Sequence, residues 1–173
     1  MNLVIPKVSI TLFALFSIVS FASASESAPR CLGNNQNVIP VNDDAVIQWK
    51  GNTANQFEAR AHVSGVISQI FPSEHGHNHF EITMENDSNN TLEVVYNESF
   101  GRLPYLVVGM SVEACGDYIT SNQETDLYPA SPDGAIIHWV HRNSSGHGHP
   151  SGFLVIDGVV YGEGRETKKH DNT

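Results

Sequence analysis

His79-Phe80-Glu81-Ile82-Thr83-Met84-Glu85 alternates apolar and polar residues without a break. Phe80, Ile82 and Met84 share one face and His79, Glu81, Thr83 and Glu85 the other, so the segment reads as a β-strand with one buried side. Asp87-Ser88-Asn89-Asn90 supplies residues that favour a tight turn, and residues 91–96 return with Leu92, Val94 and Tyr96 in phase. A β-hairpin is therefore predicted at the centre of the chain.

Upstream, residues 59–70 (ARAHVSGVISQI) alternate on Ala59, Ala61 and Val63, then on Val66 and Ile70, which places a bulge or bend near Gly65. Downstream, residues 101–109 contain Pro104 and leave room for one or two helical turns acting as a plug. Residues 111–120 form the fourth strand, 123–133 a loop and 134–141 (GAIIHWVH) the fifth. Residues 153–156 and 159–161 make a terminal hairpin that turns at Asp157-Gly158. A long bent strand, a meander and a closing fifth strand give the order of an all-β, OB-fold-like five-stranded barrel, with a β-sandwich as the competing arrangement. The expected division is a signal peptide at 1–24, an N-terminal arm at 25–57, the barrel at 58–162 and a disordered tail at 163–173.

The leader rests on Lys7, the apolar run 8–21 and the small-residue site Ala22-Ser23-Ala24. Its apolar run is shorter than the roughly 18 residues that cross a bilayer, and no later segment is longer, so membrane insertion is not expected. Periplasmic or secreted localisation, in a bacterial cell, is. Cleavage leaves 149 residues, enough for one domain with one core. Cys31 and Cys115 are the two cysteines, and in an oxidising compartment they are expected to form a disulfide across 84 positions.

Net charge bears on the partner. The full chain carries −10, with 9 Lys and Arg against 19 Asp and Glu. Oligonucleotide-binding barrels use basic grooves and stacking aromatics, and this chain lacks the cations, so nucleic acid is excluded as a partner. The expected partner of a monomeric chain is instead a protein, a glycan or a small ligand.

Histidine is the unusual residue. Seven of nine lie in His75-Gly76-His77-Asn78-His79, in His138-Trp139-Val140-His141 and in His147-Gly148-His149. Neutral imidazole suits zinc, copper and nickel. On a fifth strand with Ile137 and Trp139 facing the core, His141 lies on that same side at the strand end, and the loops carrying His77 and His149 gather near it. His138 and His141, three apart, face opposite sides of a regular strand, so the candidate ligands for zinc or copper are His77, either His138 or His141, and His149, three nitrogens in all. His79, Asn97, Trp139 and His147 are the further candidates for ligand contact. No GxSxG elbow, HExxH helix or spaced carboxylate pair is present, so no catalytic residue is assigned.

The segment Ile136-Ile137-His138-Trp139-Val140-His141, followed by Gly146 to His149-Pro150 and Gly152-Phe153-Leu154, resembles the hallmark of a bacterial domain-of-unknown-function family, number 3465, of small exported proteins. There an IHW-x-H strand leads into a Gly-x-His-x-x-Gly-Trp-Leu turn. His77-Asn78-His79-Phe80 is similar to the family's His-Gln-Arg-Phe, Tyr96-Asn97 to its His-Asn pair, and residues 108–118 to its Val-Gly-Asp to Gly-Glu-Tyr stretch. The likeness runs over residues 65–161, and this chain departs at His79 (Arg in the family), Tyr96 (His) and Phe153 (Trp). The resemblance implies export, a small β-barrel and the grouping of His77, His138, His141 and His149. It carries no established activity.

Together these readings point to an exported β-barrel binding module with a histidine-rich rim for a transition metal or polar ligand. The alternatives are a secreted interaction or virulence factor that binds a protein or glycan, and a metal-dependent hydrolase with three histidines and a bound water.

Overall fold

The computed structural model describes residues 28–164. The leader expected at 1–24 lies outside them, as does the tail from residue 165 onward. The elements in chain order are helix α1 (Asp43–Asn52), β1 (Glu58–Ile70), β2 (His77–Thr83), β3 (Thr91–Asn97), a single 3-10 turn (Glu98–Phe100), β4 (Ser111–Thr120), β5 (Ala135–His138), β6 (Phe153–Ile156) and β7 (Val159–Tyr161).

Strands β1, β2 and β3 form an antiparallel meander. β3 then runs parallel to β5, β5 pairs antiparallel with β4, and β4 returns to β1. The circuit β1-β2-β3-β5-β4-β1 closes a five-stranded barrel of OB type, with β6 and β7 as two additional strands. Closure removes the sheet edges that an open meander would expose.

Period-two alternation decides which side chains fill it. Phe80, Ile82 and Met84, then Leu92, Val94 and Tyr96, are all fully buried, as their phase in the sequence predicts. Ala61, Val63 and Ile67 from β1, Ala114 and Tyr118 from β4, and Ile137 from β5 complete the interior. Each large apolar side chain removed from water in this way contributes about 1.5–3 kcal/mol.

In β1 the expected phase slip at Gly65 is corrected. Inward alternation continues from Ala61 and Val63 through Gly65 to Ile67, whereas Val66 and Ile70 are 36% and 43% exposed. The register shift falls between Ile67 and Gln69. Gly65 has a different duty, because a Cβ there would sit 2.5 Å from the Thr83 carbonyl oxygen. Its bare backbone lets β1 serve β4 and β2 at once.

The plug also comes from elsewhere. Residues 101–109 hold no helix, since Pro104 lacks an N–H and biases Leu103 to extended backbone. Helix α1, inside the arm, does the covering. Asp43 and Asp44 in its first turn and Lys50 in its last complement the helix dipole. Val46 is fully buried, and Trp49 packs on Tyr118 and Phe57 at ring distances of 5.5 and 6.0 Å.

A second, smaller core lies outside the barrel. Cys31 and Cys115 form a disulfide with Cα atoms 5.5 Å apart, packed with Phe153 and Val155. Arg60 binds the same layer: it pairs with Asp117 at 2.8 Å and donates to the carbonyls of Leu32 and Ser151. Together they fasten the arm to the barrel.

The far edge of β4 is divided between two partners. β5 pairs with its C-terminal half, Asp117 to Thr120, and β6 with its N-terminal half, Val112 to Cys115. Residues 139–152 leave the sheet between them as a loop. Gly152 donates its N–H to the His141 carbonyl at 2.7 Å, and a Cβ on it would collide with the carbonyls of Cys115 and Trp139. The fifth strand therefore ends at His138, three residues before its expected end.

Candidate histidine rim

His77 and His79 occupy alternate positions of β2 and so share its outer face, opposite Phe80 and Ile82. His138, the last residue of β5, lies outward for the same reason, since Ile137 is buried. β3 separates β2 from β5, yet the rings of His77 and His138 come to 5.7 Å between centroids. The ring of His79 lies 6.4 Å from that of His77. All three stand on the face that flanks the meander, where OB barrels hold their ligands.

Past His138 the strand phase breaks. Trp139 has φ of +52°, outside the extended region, and the following Val140 is the residue that enters the core. The expectation that Trp139 faces the core is thereby corrected: its indole is only half-buried and stacks between two imidazoles. His138 lies 4.7 Å away on one side and His149 5.3 Å on the other, at interplanar angles of 27° and 23°. His149 then meets His141 edge-on at 5.3 Å, and His141 is buried against Phe100 at 3.5 Å. A continuous row of rings thus runs from His79 through His77, His138, Trp139, His149 and His141 to Phe100.

Five of the predicted histidines are brought together in this row, together with Trp139. Two of the further candidates fall outside it. Asn97 uses its side-chain oxygen to accept the Ser99 N–H at 2.9 Å, capping the 3-10 turn, which is a structural duty. His147 is exposed in the loop, its carbonyl accepting from Asn143.

Hydrogen bonds decide which nitrogen each ring presents. Nδ1 of His77, His141 and His149 faces the carbonyl of His75, Arg142 and Pro150 at 3.2, 3.1 and 2.9 Å. A carbonyl oxygen only accepts, so Nδ1 carries the hydrogen in all three, and in a neutral ring the lone pair sits on Nε2. His79 is held in the same sense by a carboxylate, Nδ1 lying 2.7 Å from Glu93 Oε1. His62, by contrast, has both ring nitrogens engaged, with Ile39 and Glu113, and belongs to the arm attachment.

Burial sets the charge of the row. The His138 imidazole is pushed down to about 4, first by loss of solvent and then by the repulsion of His77, His141, His149 and His79. Burial lowers His77 as well. At neutral pH these two rings are uncharged, the state in which imidazole donates to a metal. Among the described residues, no group of three or more His, Cys, Asp or Glu side chains is already placed to hold a metal ion.

Two residues of this face escape sequence reasoning. Glu93 has the sequence position of an exposed strand acid, yet it is 6% exposed, because Ser131 of the β4–β5 loop folds over it. Asp133 in the same loop is also buried, and its carboxyl is raised to about 6 by that burial and by the facing Glu81. Only the long-range placement of the loop reveals either. The groove of about 490 Å³ elsewhere on the barrel, lined by Asp43, Ser64, Glu85, Ser111 and Glu113, includes none of the rim histidines. Comparison with protein-family models, with curated proteins and with solved structures found no match.

Proposed function

We propose that the chain is an exported binding module that takes up a transition-metal ion, zinc or copper, on its histidine rim. The observation that carries this reading is the approach of His77 and His138 from strands that do not pair, with His79 beside them. Two imidazoles on one ion, with metal–nitrogen bonds near 2 Å, have their ring centroids about 5 Å apart. The 5.7 Å separation of His77 and His138 is close to that spacing. The chelate is a pair, completed by water or by a third donor. The disulfide supports an oxidising location, and the resemblance of residues 136–154 to exported proteins of domain-of-unknown-function family 3465 supports the same location.

Titration calorimetry on residues 25–173 without a tag tests the reading. The expected result is saturable binding of Zn²⁺ or Cu²⁺ tighter than about 10 µM, the range in which a chelate outcompetes single-site surface histidines. Heats no larger than those of the His77→Ala, His138→Ala double variant would dismiss it.

A second reading, a module that docks on another protein, draws on one observation. Tyr105, Val107 and Val108 are 90%, 48% and 59% exposed along the segment that follows Phe100. Replacing the three with Ser and measuring capture of envelope proteins against the unaltered chain tests it.

A further inference from the structure

The carboxylate of Glu93 is fully engaged although it lies on the outer side of β3. Its Oε1 accepts from His79 Nδ1 at 2.7 Å, and its Oε2 accepts from the Ser131 hydroxyl at 2.6 Å. The pairing register sets it directly opposite Glu81 on β2, a like-charge neighbour that by itself would repel it. Glu81 is turned to other partners, accepting from Ser68 at 2.6 Å and facing Asp133. The result is a buried carboxylate aimed at one ring nitrogen of one rim histidine.

From this arrangement we infer that Glu93 is the positioning residue of the metal site: it holds His79 with hydrogen on Nδ1, so that Nε2 is the nitrogen offered to the ion. The inference rests on the metal reading and extends it to a residue that touches no metal. A carboxylate behind a ligating imidazole fixes the ring's rotation and tautomer and raises its basicity, and loss of such a partner costs about 10- to 100-fold in metal affinity. Ser131 anchors the far oxygen, so the β4–β5 loop sets the geometry of a ligand on β2. A purely structural ion pair would contribute to folding and leave the metal affinity of the folded protein alone.

Two measurements test this. Long-range ¹H–¹⁵N correlation spectra of the unaltered, metal-free chain are expected to show His79 as the Nδ1–H form; a neutral Nε2–H form would overturn the inference whether or not any variant folds. Zn²⁺ calorimetry on Glu93→Ala is expected to show binding about 10- to 100-fold weaker, with Glu93→Gln, which retains an oxygen acceptor, falling between it and the unaltered chain. Folded Glu93→Ala that binds Zn²⁺ within twofold of the unaltered chain would also overturn it. Absence of Zn²⁺ binding by the unaltered chain dismisses the metal reading instead, a separate result from either of these.

Discussion

His77 of β2 and His138 of β5 lie with ring centroids 5.7 Å apart although β3 runs between their strands. The barrel's curvature and the end of β5 at His138 bring them together, and both rings are carried by strand residues. Replacing either with Ala is expected to weaken Zn²⁺ or Cu²⁺ binding at least tenfold, and replacing both to abolish it. Leu127→Ala, 80% exposed on the β4–β5 loop, is expected to change nothing in the same calorimetric titration.

Acid titration separates two opposed groups. His138 falls from an ordinary 6.5 to about 4 in the folded chain, so the unfolded chain binds its proton more tightly and stability is lost as pH drops through that window. Asp133 rises from 3.8 to about 6, so the folded chain holds its proton more tightly and stability is gained as pH drops through nearly the same range. The unaltered chain is expected to show a shallow stability profile from pH 6.5 to 4. His138→Gln should become more stable towards acid and Asp133→Asn less, each by about 2 kcal/mol over the window after allowing for solvent screening. Urea midpoints at half-unit pH steps measure both slopes.

Reduction of the Cys31–Cys115 bridge, which spans 84 positions, is expected to lower unfolding free energy by about 4 kcal/mol. The arm and α1 should lose protection against hydrogen exchange first. Denaturant curves with and without reductant, alongside a Cys31→Ser, Cys115→Ser variant, supply the check.

Arg60 is a separate test of the arm. Its side chain is 5% exposed and its partner Asp117 18%. Arg60→Met leaves that carboxylate without its cation and is expected to cost about 3–5 kcal/mol. Arg60→Lys should recover only part of the loss, because an ammonium cannot reach Asp117, Leu32 and Ser151 as a planar fork does. The same urea midpoints distinguish the two.

Local pattern carried the barrel a long way. Alternation in residues 79–85 and 91–96 predicts every inward side chain of the central hairpin, and the turn at Asp157-Gly158 predicts the closing one. Where two rules compete, local reading fails: Val66 marks an apolar face in sequence, but the inward phase of Ala61 and Val63 continues through Gly65 to Ile67 and leaves Val66 on the outer face. Helix α1 was unreadable for a related reason, since a single anchored turn at Val46 and Trp49 leaves little periodicity to detect. Seven histidines fall in three short stretches of the sequence, but the order in which their rings meet is set by the fold. Trp139's departure from strand geometry, and the burial of Glu93 beneath Ser131, depend on contacts between distant segments that no window of sequence contains.

Both ends of the 139–152 excursion are fastened to the same strand, at Asp117 through His138 and at Cys115 through Phe153, with only Gly116 between the two footings. Changes in the length or composition of residues 142–150 are therefore insulated from the registers that build the barrel, provided that buried Val140 and His141, and Gly152, are kept. Descendants of this chain could alter what the rim recognises by rewriting one segment, and a protein engineer has a ready graft point at the same two footings.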